Sequence, residues 1–214
     1  MNAMSDDTRL WRGKGLAERT AERRQRLFAA TLDLIEAHGI GGVTVRGVCA
    51  ASGLTARYFY ESFSDLPDLL LSLYDDLAGT AITAVAGGVT AAMEDVNDPL
   101  QSFVTAGMEY MSAHPQACRL LLIHSAGHPE MHRRRRHLIG EVSARATRIW
   151  SAEVADSPAL VTSGLAARFA LGGLIEFATA YLEGDLRLSE AECAQAALGL
   201  IRAFVTAEGA LHAP

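Results

Sequence analysis

The chain has 214 residues, half of them apolar, a formal net charge of −6 and three cysteines. That length builds one or two ordinary domains with a sizeable core, and the acidic balance excludes an indiscriminately basic nucleic-acid coat. Cys49, Cys118 and Cys193 are far apart and form no CxxC, a pattern that excludes a disulfide framework and a thiolate zinc site and suits the cytoplasm.

Charge is unevenly placed. Residues 1–61 carry nine Lys+Arg against seven Asp+Glu, a balance of +2, and residues 62–214 carry ten against eighteen, a balance of −8. The N-terminal part can therefore meet an anionic partner while the remainder does something else. Residues 1–18 are polar, lack an apolar signal core and read as a flexible basic arm carrying Arg9, Arg12 and Lys14. From Glu22 a helix is expected, because Leu27, Phe28, Thr31, Leu34, Ile35 and His38 share one face of a 3.6-residue period. Gly39, Gly41 and Gly42 stop it. Thr44 can cap a second helix to about Ser52, Gly53 makes a turn, and Thr55 can cap a third helix ending near Phe63. Asp65 caps a fourth, with Pro67 in its first turn and Asp68 at its third position.

Further on, the most apolar stretch, 78–93, is broken by Gly and Thr and is short for a membrane span. Helix boundaries follow at Asn97-Asp98-Pro99, His114-Pro115, Gly127-His128-Pro129, Ser157-Pro158 and Gly184. Ser189 and Glu192 have the spacing of a capping box opening a last helix. No segment sustains the alternation and β-branching of a strand. The expected class is all-α, with about nine helices: an N-terminal three-helix head over 19–64 and a helical bundle over 65–214.

The stretch TVRGVCAASGLTARYFYESF, 44–63, has the helix, glycine turn and second short helix of a helix-turn-helix. At about 100° per residue, Phe59 and Phe63 fall on one side of the third helix with Ala56 beside them. Arg57, Tyr58 and Glu61 fall on the other side, and Tyr60 lies at the boundary. Arg can grip guanine through two hydrogen bonds and Tyr hydroxyls can reach phosphates, which suits an exposed helix in the DNA major groove. The same pattern also fits a small core closed by Tyr58 and Tyr60 with Arg57 solvated; pattern alone does not choose.

From Glu22 to Leu70 the sequence resembles the TetR-type bacterial transcriptional regulators. The resemblance lies in the amphipathic first helix, in TVRGVCAASGL and in TARYFYESFSDLPDLL, and LGGLIEFATAYLEGDLRLS further resembles that family's penultimate helix. It implies a homodimer, a DNA-binding head and a C-terminal bundle that takes a small effector. Thr44 and Arg46 would meet phosphate, and Thr55, Ala56, Arg57, Tyr58 and Tyr60 would lie at the groove. Two positions depart from the pattern: acidic Glu61 on the reading helix would be repelled by phosphate unless it accepts from a cytosine amino group, and Leu66 stands where a phosphate-binding Lys is frequent.

His132-Arg133-Arg134-Arg135-Arg136-His137 is the densest charge run and reads as a solvated helix start. His128 and His132 have metal-compatible spacing, but Pro129 intervenes, so no metal and no cofactor is expected. Glu176 in an apolar helix needs a partner, across a dimer or in a ligand pocket. With it, Met108, Met111, His124, Trp150, Phe169 and Phe177 are the candidate lining of a pocket for an apolar or aromatic effector. Gly164, Ala166, Ala167, Ala170, Gly172 and Gly173, then Ala194, Ala197, Gly199 and Ala203, are small enough for close helix packing between two subunits. The function read from these features is a cytoplasmic, ligand-released repressor acting as a homodimer on palindromic double-stranded DNA, with no membrane partner. An effector-dependent activator is the near alternative. An all-helical enzyme or interaction module is the distant one, and no nucleophile pair, carboxylate pair or phosphate loop speaks for the enzyme.

Overall fold

The computed structural model of the protein describes residues 15–94, 98–153 and 160–211. The arm residues Arg9, Arg12 and Lys14 and the Ser157-Pro158 boundary lie outside them. Nine α-helices and two short 3-10 turns account for the regular structure, with no strand among the described residues. The chain divides into two compact units, Met1–Leu73 and Tyr74–Pro214.

In the first unit α1 spans Leu16–His38, α2 Val45–Ser52 and α3 Ala56–Ser62, and α4 begins at Leu66. Helix α1 starts six residues before Glu22; Ala17, Glu18, Arg19 and Ala21 are strong helix formers but carry no apolar period that would reveal it. Of its expected inner face, Leu27, Phe28, Thr31 and Ile35 are buried, Leu34 is half-buried and His38 is exposed. The Thr31 hydroxyl is satisfied within the helix, donating to the Leu27 carbonyl at 2.7 Å. Val43, Val48, Phe59, Phe63, Leu69, Leu70 and Leu73 complete this core. Gly42 is required where it stands, because a Cβ there would lie 2.6 Å from the His38 Cβ.

Helix α4 spans Leu66–Glu94. The Asp68 N–H donates to Asp65 Oδ1 at 2.8 Å, while the Asp68 carboxylate accepts from the Ser64 N–H at 2.9 Å, closing its start reciprocally. Within it, Leu66–Gly87 has the length and composition to cross a membrane, where the sequence had pointed to 78–93. Leu69, Leu70, Leu73, Tyr74 and Ala78 are buried and the adjacent Asp75 and Asp76 exposed, the pattern of a core helix in a folded unit.

The second unit continues with α5 Pro99–Ala113, α6 Pro115–Leu122, a 3-10 turn His124–Gly127, α7 Pro129–Glu153, α8 Leu160–Glu183 and α9 Glu190–Leu211. Its core joins Val104, Met108, Tyr110 and Met111 of α5, Cys118 of α6, Ala170 and Leu182 of α8, and Cys193, Ala197 and Ile201 of α9. The boundaries have local chemical causes. Asp98 Oδ1 accepts from the N–H groups of Leu100 and Gln101, His128 Nδ1 accepts from the Met131 N–H, and Ser189 and Glu192 cap each other reciprocally. At the end of α8 Gly184 turns left-handed, φ +80, and Asp185 N–H reaches back to the Ala180 carbonyl at 2.9 Å.

Candidate nucleic-acid interface

The turn between α2 and α3 is fixed from both sides. Thr44 Oγ1 accepts from the Gly47 N–H at 3.0 Å, starting α2. At the other end Gly53 is left-handed, φ 66, and Leu54 N–H donates to the Cys49 carbonyl at 3.1 Å, so the chain reverses within one residue. Arg26 of α1 then donates to the Ser52 carbonyl at 2.6 Å, taking up an acceptor that the helix end leaves open.

Helix α3 is held by one side only. Phe59 and Phe63 are buried, and the Phe63 ring packs 5.6 Å from Phe28 and 6.0 Å from Phe59. Arg24 of α1 lies over Phe63 and Phe28, 4.5 and 5.0 Å from their centroids, and its Nη1 donates to the Ser62 carbonyl at 3.5 Å. Helix α3 is thus clamped from beneath by arginines of α1. Sequence reasoning had counted these only as charge; the Arg24–Phe28 spacing of four residues was the available signal.

Outward, α3 exposes Thr55, Ala56, Arg57, Tyr58 and Tyr60, and in α2 Thr44 and Arg46 are exposed as well. Ala56, expected beside the core phenylalanines, is open to solvent. Thr55 stands at the cap position of α3 but its side chain makes no cap bond. The two tyrosines differ. Tyr58 is 37 % exposed and carries the Arg23 guanidinium 4.7 Å from its ring centroid, whereas Tyr60, the expected boundary residue, is 59 % exposed and edges onto Phe59 at 5.2 Å. Arg57 Nε donates to Glu61 Oε1 at 2.9 Å, with 83 % of the Arg57 side chain exposed. The acidic departure at Glu61 is therefore the partner of Arg57, and the bond leaves both Nη groups of Arg57 for another acceptor.

Family-model and curated-protein comparisons give no match. Solved structures do match. The fatty acid degradation regulator FadR from Bacillus halodurans superposes with a TM-score of 0.71 at 16 % identity, over 84 % of this chain and 94 % of that one. A TetR-like transcriptional regulator from Rhodococcus sp. RHA1 gives 0.64 at 13 % identity, over 86 % and 96 % of the two chains. FadR from Bacillus subtilis in complex with stearoyl-CoA gives 0.66 at 16 % identity, over 83 % and 96 %. The chain has the TetR-type regulator fold.

Within this TetR-type fold the expected effector residues separate. Met108 and Met111 are buried in the second core, with Phe177 packed partly buried against it, and His124 is half-buried in the 3-10 turn. Phe169, 69 % exposed, and Glu176, also exposed, face outward and do not join them. Glu176 therefore has no place in the interior of the single chain, which leaves the partner across a dimer as the open alternative for it. Trp150, Gly164, Ala166 and Ala167 lie outside the residues whose side chains are described. The small residues likewise divide: Ala170 and Ala197 are buried within the chain, while Gly172, Gly173 and Gly199 are exposed, with nothing within 4 Å of a Cβ placed on any of them.

The remaining reactive groups are quiet. Burial raises all three thiols, Cys118 to about 11, so none is poised as a nucleophile. Cys49 is half-buried, whereas Cys118 and Cys193 are buried. Among the described residues no group of three His, Cys, Asp or Glu could hold a metal ion.

Proposed function

We propose that the protein is a sequence-specific DNA-binding transcriptional regulator of the cytoplasm, a repressor without enzymatic activity. One observation carries this reading: a seven-residue helix rigidly seated on Phe59 and Phe63 that turns Thr55, Ala56, Arg57 and Tyr60 to solvent behind a left-handed glycine turn. Arg57 would read a guanine, with Tyr58 and Tyr60 reaching phosphate or base edges and Thr44 and Arg46 gripping the backbone. The residues fit a positioned reading head better than a closed core, since Tyr60 and Arg57 are among the most open side chains of the unit.

Two such heads are needed for a palindromic operator, and the outward face of α8 and α9 supplies the means of pairing. Phe169, Gly172 and Gly173 of α8 and Gly199 and Leu200 of α9 are exposed, and Leu200 is 65 % so. Exposed large apolar side chains beside glycines that have open space around them among the described residues suit a symmetric interface with a second copy. The second unit, with Met108, Met111 and Phe177 in its interior, would take a small effector whose binding releases DNA. The stearoyl-CoA complex of the Bacillus subtilis protein supports an effector with a long apolar body.

The test is anisotropy titration of the purified protein with labelled DNA from upstream of its own gene, against random duplex of equal length. Specific binding as a dimer to a two-fold site is expected. Equal affinity for both duplexes would remove the proposal.

A further inference from the structure

Where α4 meets α7 two neighbouring pairs of polar residues have opposite fates. On the outer side Asp75 pairs with Arg134, which also lies 3.8 Å from Glu130, and Glu130 pairs with Arg133 as well. Both Arg133 and Arg134 are thereby neutralised. Beside them stand Tyr74, 1 % exposed, and Arg135, half-buried. The Tyr74 hydroxyl and the Arg135 Nε are both buried and neither makes a hydrogen bond among the described residues. A phenol oxygen could accept from a guanidinium, yet that bond is not formed. Burial pushes the Tyr74 phenol up to about 12, with Arg135 near enough for its charge to pull the other way. The phenol therefore stays protonated, a neutral donor beside a cationic one.

Two buried donors without an acceptor are costly in an ordinary core. The positions around them are apolar: Ala78 lies one turn along α4, and Met131 and Ile139 lie one turn on either side of Arg135 along α7. We infer that Tyr74 and Arg135 form an internal oxyanion site that holds the carboxylate of an effector with an apolar body. A monocarboxylate matches the one charge of the Arg135 guanidinium beside Tyr74; a phosphate dianion would leave one negative charge buried and unmatched. The inference rests on the reading of the second unit as an effector-binding unit and names the head group that this unit would take.

The experiment uses the full chain without DNA, so its outcome does not depend on operator binding. Calorimetric titrations with decanoate, decanol and decyl phosphate should rank decanoate at least tenfold tighter than either of the others. Tyr74→Phe and Arg135→Gln should each reduce that preference at least fivefold, while Arg136→Gln, at an exposed neighbour of the same run, should leave it unchanged. In parallel, Tyr74→Phe should leave the melting temperature of the ligand-free protein equal or higher, because it removes a hydroxyl that has no partner. A fall of several degrees would mean the phenol is bonded within the fold and would overturn the inference. So would wild-type protein that binds decanoate no better than decanol, or that binds decyl phosphate best. Decanoate binding that leaves operator affinity untouched would instead sink the regulatory reading and leave the site standing.

Discussion

Arg57 and Arg46 are both exposed cations of the first unit, but of the two only Arg57 projects from α3 and only Arg57 is held by a carboxylate, that of Glu61. Their substitution should therefore separate two kinds of contact. Arg57→Ala should cost about 1–3 kcal/mol on the operator and relax the preference at one base pair. Arg46→Ala should weaken operator and random duplex alike and make affinity less steeply dependent on salt. Anisotropy titrations at several NaCl concentrations check both, and identical behaviour of the two variants would remove Arg57 from base reading. Glu61→Gln should free the guanidinium to meet any phosphate, so random-duplex affinity should rise and the ratio of specific to random binding should fall.

Among the elements, the helix caps allow a sharper contrast. Thr44 makes its bond to Gly47 and Thr55 makes none. Thr44→Ala should destabilise the fold by about 1 kcal/mol, whereas Thr55→Ala should stay within about 0.5 kcal/mol; urea unfolding measures both. Asp98 caps α5 and also binds Arg202 of α9. Burial pushes its carboxyl pKa up, but the Arg202 hydrogen bond, the N–H groups of Gln101 and Leu100 and the Arg202 charge outweigh it, and the net shift is downward. A depressed folded pKa means that this stabilisation is present above the unfolded value and is lost as pH falls through the folded one. Asp98→Asn should hence cost stability at neutral pH, and the difference from wild type should shrink toward zero in acid titration. The caps at Thr44, Asp65 and Ser189 were legible in the sequence because a cap is chemistry between residues three apart. The start of α1 was not, since Leu16–Glu22 has propensity without an apolar period. Nor were the α1 arginines beneath α3 legible as clamps: Arg24–Phe28 is local, but the partners that hold α3, from Ser52 to Phe63, lie far along the chain.

For the molecule as a whole, the exposed faces of α8 and α9 decide where disruption should separate assembly from folding. Leu200→Glu or Phe169→Glu should yield monomers that keep their helical content and lose operator binding, as sedimentation and circular dichroism would record. Ala197→Glu should behave differently and unfold the second unit, because Ala197 is 3 % exposed in its core. Both helices carry small and apolar residues on more than one side, so their sequence could not say which of these faces inward; that is why Ala197 and Gly172 looked equivalent and Phe169 looked internal. A wild-type chain that sediments as a monomer at micromolar concentration would contradict the pairing. If an effector weakens DNA binding, operator DNA must weaken effector binding by the same factor, typically about 1–3 kcal/mol. Calorimetry with decanoate, with and without operator, measures it, and equal affinities would mean no coupling.

The ion pair on α3 also bears on how a regulator of the proposed kind would find its site. Arg57 and Glu61 together bring no net charge to the groove, and the chain as a whole carries −6. On that reading the neutral pair would add nothing to the attraction for arbitrary chromosome, so sliding would be briefer and a larger share of molecules would remain in free solution. Occupancy of the operator would then follow the number of free dimers in the cell rather than competition from the vast excess of random sequence, and a modest change in copy number would be felt directly at the promoter.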